Sequence, residues 1–186
     1  MRSLSFITRE YLMATWNIDS AHTHLGFSVR HLMVSTVRGQ FKAYTGKVAL
    51  DAADFTKSTI EGEVEVKSID TNNSQRDDHL RTNDFFDAEH HPKITFKSTK
   101  IEKKDDGEYL VHGDLEIRGV SKPVTFEAEF HGVAKSPRGQ TVAGLHAHAT
   151  INRKDFGVVY NAVLETGGVA IAEKVKIEID AELVAA

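Results

Sequence analysis

The chain has 186 residues, 40% of them hydrophobic and 27% charged, which is enough for one globular domain with its own core. It contains no cysteine, which excludes disulfide bonds, thiolate metal sites and cysteine nucleophiles. The net charge of -4 argues against a general nucleic-acid binder. No run approaches the roughly 18 to 20 apolar residues of a membrane-spanning helix, so we expect no stable insertion into a membrane.

The first thirteen residues are predicted to form a disordered N-terminal extension, followed by one domain over 14–186. The apolar run after Arg2 is interrupted by Ser5 and Thr8. It is therefore shorter than the roughly 7 to 15 residue apolar core of a secretory signal. We expect a cytoplasmic protein for this reason.

From residue 25 onward, apolar residues recur at every second position, the period of a strand with one buried and one polar face. No repeated strand-helix-strand unit that would build a parallel sheet is found. The pattern therefore predicts an all-β fold of eight antiparallel strands. They lie at about 25–31, 41–50, 60–67, 94–99, 109–118, 124–131, 143–151 and 175–183.

Eight such strands can close into a barrel or stack as a two-sheet sandwich, and alternation alone does not decide between them. An eight-stranded barrel is just wide enough to be filled by side chains or to hold one slim ligand. Small residues on the apolar faces favour a barrel with room for a ligand. These residues are Gly62, Gly113, Ala128, Ala143, Ala147, Ala149 and Ala181.

One or two short helices are expected at about 74–82 and 84–89, where the alternation stops. Ser74 is the predicted N-cap of the first, with a carboxylate at the third position after it. The same helix carries Arg76 and His79, which suit acid-base chemistry or ligand contact. Simple capping and ion pairing explain these residues equally well, and no nucleophile-elbow motif lies beside them.

Ten histidines make a metal-dependent enzyme an alternative function. Histidines two positions apart on a strand point to the same side, as metal ligands can. No metalloprotease helix or phosphate-binding loop accompanies them. The candidate ligands are His22, His24, His31 and His79.

A long connection follows the seventh predicted strand, from Lys154 to Gly168. Loops of this length in compact domains are often lids or entry flaps. The alternative is a surface Ω-loop without ligand contact.

Several motifs recur in order along nearly the whole chain, from Ala14 to Leu183. Together they resemble the YceI-like family. The motifs are Trp16-x-Ile18-Asp19-x-x-His22, Phe27-x-Val29-x-His31, Arg38-Gly39-x-Phe41, Arg76-Asp77-x-His79-Leu80, Asp84-Phe85-Phe86-Asp87, Pro92-x-Ile94-x-Phe96, Gly113-x-Leu115, Gly119-Val120-x-Lys122-Pro123-Val124 and Asn152-Arg153-x-Asp155-Phe156-Gly157.

This resemblance implies an extended eight-stranded, lipocalin-like barrel over 14–186 that binds a polyisoprenoid or another long amphipathic lipid in an apolar tunnel. It implies no catalysed reaction and no cofactor besides the bound lipid. Many members crystallise as dimers, which leaves a homodimer open. An interaction module with a filled core is a further alternative beside the metal-dependent enzyme.

A lipid tail needs a continuous apolar tunnel, whereas its polar head needs hydrogen-bond donors near the mouth. The residues expected to line the tunnel are Phe27, Val29, Phe41, Val64, Phe96, Val111, Phe126, Phe130, Ala147 and Ala149. Those expected at the mouth or head group are Arg76, Asp78, His79, Phe85, Phe86, Arg153 and Asp155. Among the latter, the two aspartates are expected to orient the arginines.

Overall fold

The computed structural model describes residues 12–165 and 167–186. Residues 1–11, most of the predicted extension, lie outside the described residues. The described chain forms one α-helix, α1 (Ser74–Arg81), and eleven β-strands. The strands are β1 (Leu12–Ile18), β2 (His24–His31), β3 (Ser35–Phe41), β4 (Tyr44–Asp51), β5 (Thr59–Glu65), β6 (Ile69–Asp70), β7 (Lys93–Asp105), β8 (Glu108–Ile117), β9 (Val120–Lys135), β10 (Thr141–Asn152) and β11 (Ile171–Ala185).

Eight of these strands close into an antiparallel barrel in the order β1-β4-β5-β7-β8-β9-β10-β11. The ring closes at β1, where Trp16 lies opposite Val48 of β4 on one side and Ala185 of β11 on the other. Closure removes the free edges that a sandwich of two sheets would keep. The predicted eight-stranded antiparallel barrel is confirmed, and the sandwich is wrong.

The remaining strands, β2, β3 and β6, form a three-stranded extension attached to β11. The first part of β11 pairs with β2, from Ile171 opposite His31 to Asp180 opposite His24. The last residues of β11 pair with β1 instead. Strand β3 pairs with β2, and β6 adds to β3. The C-terminal end of β11 therefore closes the barrel against β1, whereas the earlier part of β11 carries the extension.

The ring has the predicted number of strands, but not all of them are the strands that were predicted. Strand β1 was not predicted: Ala14, Trp16 and Ile18 do alternate with polar residues, but this short run adjoins the segment expected to be disordered. The predicted strand at 25–31 lies in the extension. The predicted strand at 41–50 is divided, since β3 ends at Phe41 and β4 begins at Tyr44. The chain passes from the extension to the barrel between them.

Helix α1 agrees with the predicted 74–82 to within one residue, but its N-cap is Asn73. The Asn73 side chain accepts a hydrogen bond of 2.9 Å from the backbone N–H of Arg76. A second helix at 84–89 is not formed, and this segment consists of turns. Asp87 has a φ of 50°, a left-handed conformation that a right-handed helix cannot contain. Among the described residues no helix has the length and apolar character needed to cross a bilayer.

One end of the barrel, here called the closed end, is packed solid with large side chains around Phe55. Phe55, on a 3₁₀ turn between β4 and β5, packs parallel to the ring of Phe130 at 4.8 Å and edge-on to Tyr109 at 4.8 Å. Trp16 and Leu50 are both fully buried beside them. Such aromatic contacts add to the free energy gained by burying apolar surface. The filled-core alternative therefore describes one end of the barrel.

Candidate functional site

The rest of the barrel, together with β2 and β3 of the extension, encloses a cavity of about 550 Å³. This volume lies within the roughly 300 to 1,000 Å³ of small-molecule pockets. Val175, Ile177 and Ile179 of β11 line the cavity and remain half-buried, because their inner surface faces empty space. The alternate residues of β11 are polar and exposed to solvent. The cavity wall is therefore the apolar face of the strands.

Eight residues expected to line a tunnel are found in the cavity wall, namely Phe27, Val29, Phe41, Val64, Phe96, Val111, Phe126 and Ala147. Phe130 and Ala149 lie elsewhere. Phe130 stacks on Phe55, and Ala149 is 5% exposed within the packed core. Alternation places both on the inward face, but part of the inward surface is core instead of cavity. The two-residue period of a strand does not distinguish inward residues of the core from inward residues of the cavity wall.

Two glycines on inward faces differ in the same way: one borders the cavity and the other is packed against protein atoms. A Cβ atom at Gly62 would meet nothing within 4 Å, so this position borders open cavity. A Cβ atom at Gly113 would approach the backbone oxygen of Lys97 to 2.5 Å and collide with the ring of Phe96. Gly62 therefore leaves space for a ligand, whereas the space at Gly113 is occupied by protein.

The mouth is built where α1, the turn after it and the segment 158–162 meet. The His79 ring lies 5.0 Å from Phe85 and 5.1 Å from Tyr160, and its Nε2 atom is 2.7 Å from a carboxylate oxygen of Asp84. Tyr160 lines the cavity and is 36% exposed, so the cavity reaches solvent here. Phe86 also lines it and contacts Phe41 at 6.0 Å.

Arg76 borders the cavity with part of its guanidinium unused. Its Nε donates to the Thr71 hydroxyl at 2.8 Å, and its Nη2 donates to the Thr71 carbonyl at 2.8 Å. Thr71 in turn donates to the buried carboxylate of Asp77 at 2.5 Å. The Nη1 atom of Arg76 makes no hydrogen bond within 12–165 and 167–186, so its two N–H groups are available to a ligand.

Arg153 also borders the cavity, but most of its donors hold the loop that follows it. Its Nη1 donates at 2.8 Å to the carbonyls of Val158 and Tyr160, and its Nε donates at 3.0 Å to the carbonyl of Ala172. The side chain is 6% exposed, and burial lowers its pKa from the ordinary value. Arg153 is therefore chiefly a positioning residue for the loop.

The loop itself contributes Val158, Tyr160 and Ala162 to the cavity wall. A surface loop without ligand contact would not border the cavity. The placement favours the entry-flap interpretation of the long connection.

The two aspartates expected to orient the arginines lie outside the cavity wall. Asp78 is exposed and pairs with Arg81 at 2.9 Å. Residues two apart on a helix point in nearly opposite directions, so Asp78 cannot share the side of Arg76. Asp155 is exposed on the 3₁₀ turn Arg153–Phe156. Hydroxyl and carbonyl oxygens orient the arginines instead, through contacts that no sequence pattern indicates.

The four histidines proposed for a metal site do not converge. His31 and His79 border the cavity, while His22 lies with Asp19 and Glu182 in a group whose ligand atoms are within 4.8 Å of one another. That group has one histidine and is the one candidate cluster of this kind in the described chain. The Nδ1 atom of His22 is 2.8 Å from Asp19 and 3.7 Å from Glu182.

A model of the YceI-like domain matches residues 16–183. The chain belongs to the YceI-like family. It is 42% identical over 171 residues to a UPF0312 protein of Staphylococcus epidermidis, a match covering 91% of this chain and 97% of that one. A UPF0312 protein of Staphylococcus aureus is 41% identical over the same coverage. The resemblance predicted from the motifs is confirmed.

Solved structures share the fold of this YceI-like chain. BcnA of Burkholderia cenocepacia superposes with a TM-score of 0.76 at 25% identity, covering 91% of this chain and 99% of that one. A YceI protein of Campylobacter jejuni gives 0.74 at 32% identity, covering 90% and 96%. A polyisoprenoid-binding domain from Saccharophagus degradans gives 0.67 at 11% identity, covering 93% and 99%.

Replacing Arg153→Met tests its positioning role. The carbonyls of Val158, Tyr160 and Ala172 lose their donor, so we expect the free energy of unfolding to fall by about 2 to 4 kcal/mol. Urea denaturation measures this. The control is Lys154→Met, which removes an exposed pair with Glu173 and should cost less than about 1 kcal/mol. Equal losses in the two variants would contradict the assignment.

A pH prediction concerns His22, in the connection between β1 and β2. Its hydrogen bond with Asp19, and then the charges of Asp19 and Glu182, raise the pKa of His22 above the ordinary value of 6.5. The resulting stabilisation is present below pH 6.5 and is lost as pH rises through the raised pKa of the folded state. In an NMR titration, Asp19→Asn should lower the His22 midpoint more than Glu182→Gln does. An unchanged midpoint in Asp19→Asn would refute this.

Proposed function

We propose that this YceI-like protein binds a polyisoprenoid or a similar long-chain amphipathic lipid inside the barrel and carries it without catalysing a reaction. The observation that carries the proposal is the apolar cavity of about 550 Å³ with a polar mouth. Long apolar chains are insoluble in water. Their burial contributes about 25 cal/mol per Å² before the cost of ordering the chain.

The polar end of the lipid is held at Arg76 and His79. Both border the cavity, and Arg76 offers the unused N–H groups of Nη1. A guanidinium binds phosphate or carboxylate oxygens through paired, charge-assisted hydrogen bonds. Tyr160 and Phe85 pack around His79 and cover the start of the tail. The head group therefore lies near solvent and the tail extends toward Phe96 and Phe126.

Binding without turnover fits the polar groups at the mouth. A catalytic site needs a nucleophile or an acid-base group aimed at the reacting atom. No side-chain hydroxyl of the described residues hydrogen-bonds the His79 ring, so the His79–Asp84 pair has no nucleophile to activate, and the donors of Arg153 are engaged by backbone carbonyls. No cofactor besides the lipid is proposed.

The shared fold is consistent with this ligand class. The Saccharophagus degradans domain is described as binding polyisoprenoids, but at 11% identity its likeness extends to the fold alone. The choice of ligand for this chain rests on the chemistry of its own cavity.

Replacing Gly62→Leu should fill the cavity from within. Because a Cβ atom at Gly62 meets nothing within 4 Å, we expect the variant to keep its thermal stability. Farnesol binding should fall by tenfold or more, since the tail competes with the new side chain for the same volume. Displacement of a hydrophobic fluorescent probe measures binding, and native mass spectrometry of the purified protein shows whether a lipid is retained.

The matched control is Gly113→Leu, also a glycine on an inward face. Its side chain would collide with Phe96, so we expect a loss of stability of about 1 to 3 kcal/mol or more. Wild-type farnesol binding by a folded Gly62→Leu variant would show that the cavity is not the binding site. A stoichiometric metal with no lipid in the purified protein would favour the enzyme alternative.

Replacing Arg76→Met tests the head-group site. Charge-assisted hydrogen bonds contribute about 1.5 to 3 kcal/mol, so farnesyl phosphate should bind roughly ten- to a hundredfold more weakly. An uncharged isoprenoid hydrocarbon should bind nearly as before. The control is Arg38→Met, an exposed arginine of β3 outside the cavity wall. If both ligands are affected equally, Arg76 does not hold the head group.

A further inference from the structure

The large hydrophobic side chains that are exposed in the described chain all lie in two neighbouring stretches. One stretch is the tip of the β2–β3 hairpin, and the other belongs to the loop before β11. A backbone hydrogen bond of 2.8 Å joins them, from the N–H of Leu32 to the carbonyl of Ala170. We call these residues the apolar rim. They are Leu32 (40% exposed), Met33 (75%), Val34 (80%), Val159 (60%), Tyr160 (36%), Val163 (84%) and Val169 (48%).

The hairpin tip keeps these side chains at a cost in backbone energy. Leu32 and Met33 have φ values of 52° and 60°, in the left-handed region that glycine and asparagine occupy most readily. Apolar side chains at an exposed, strained turn gain nothing from the protein's own core. Strain of this kind points to function when it is observed in a structure.

The rim is continuous with the mouth of the cavity. Tyr160 belongs to both, and Ala162 and Ala170 of the same loop line the cavity. Beneath the hairpin tip, Val29 and His31 of β2 also line it. A partner seated on the rim therefore covers the place where a ligand enters and leaves.

We propose that the apolar rim docks the protein on a lipid bilayer, so that the lipid passes between bilayer and cavity without crossing water. The cargo in this proposal rests on the proposed function, whereas the docking itself does not. Exposed apolar side chains at loop tips can enter the interfacial region of a bilayer, and their burial there drives binding.

The hairpin also carries a cation suited to the phosphate layer. Arg30 is exposed at the base of the tip, where its Nη2 donates to the Met33 carbonyl at 2.9 Å and its Nη1 to the Thr36 hydroxyl at 3.2 Å. A basic side chain beside an inserted apolar tip is attracted to lipid phosphates. A second copy of the chain would instead lie over Tyr160 and obstruct the mouth. For this reason we favour the bilayer as the occupant.

The test uses neutral phosphatidylcholine vesicles without isoprenoid and the double variant Met33→Asp/Val163→Asp. Aspartate is tolerated at left-handed φ, and neither residue lines the cavity, so the variant should fold and bind farnesol as the wild type does. Wild-type protein should float with the vesicles. Loss of two inserted apolar side chains should lower vesicle binding by about tenfold or more.

The control, Gln140→Asp, adds a carboxylate in the exposed turn between β9 and β10, at the opposite end of β10 from the loop. It should float as the wild type does. Failure of wild-type protein to float, or equal flotation by the double variant, overturns the docking proposal. Wild-type dimers in sedimentation that the double variant abolishes, without flotation, assign the rim to a second copy instead. Flotation without farnesol binding supports docking and contradicts the proposed cargo.

Discussion

The structure depends on how the hydrogen bonds of β11 are shared. A strand inside a sheet must satisfy its backbone groups on both sides. One side of β11 is taken by β10 from Asn152 to Val142, while the other side passes from β2 to β1 along its length. This change of partner closes the ring beside Trp16 and lets the extension spread beyond it. A single long strand thus belongs to a closed barrel and to an open sheet.

The two partners of β11 also divide the interior. Near β1 the buried side chains of Trp16, Leu50 and Phe55 fill the interior, and this solid plug contributes the dense packing that folding needs. Toward β2 the inward faces of the strands border the cavity, together with Arg76, His79 and Leu80 of α1. Stability and binding capacity are thereby assigned to different parts of one barrel. A cavity can then persist without leaving the domain short of a core.

The sequence predicted the architecture because period-two alternation fixes which side chains of a strand point inward. It predicted most of the cavity wall for the same reason, including Phe27, Phe96 and Ala147. It could not predict that Phe130 is packed, since this depends on Phe55, which reaches it from a distant connection. Nor could it predict that Ala149 is packed although its inward neighbours on β10, Ala147 and Ile151, line the cavity. Strand β3 was missed because its apolar face is short, with Val37 and Phe41 as its two large apolar residues. Tyr160 was missed because it lies in a loop that has no periodicity.

The mouth shows a further limit of sequence patterns. Arg76 and Arg153 were both expected to contact a ligand, and both border the cavity. Their hydrogen bonds show that Arg76 can bind a ligand, whereas Arg153 chiefly holds the loop. Thr71 holds part of Arg76 and leaves one nitrogen of the guanidinium unused, whereas carbonyls of the loop take most of the donors of Arg153. A guanidinium stays protonated at any physiological pH, so this fastening of the loop does not loosen with acidity. Displacing the loop would break several buried and partly buried hydrogen bonds together, so opening has a substantial cost in free energy. A bound molecule that must leave past this loop would therefore have a long residence time, set by the dissociation rate and not by how often partners collide.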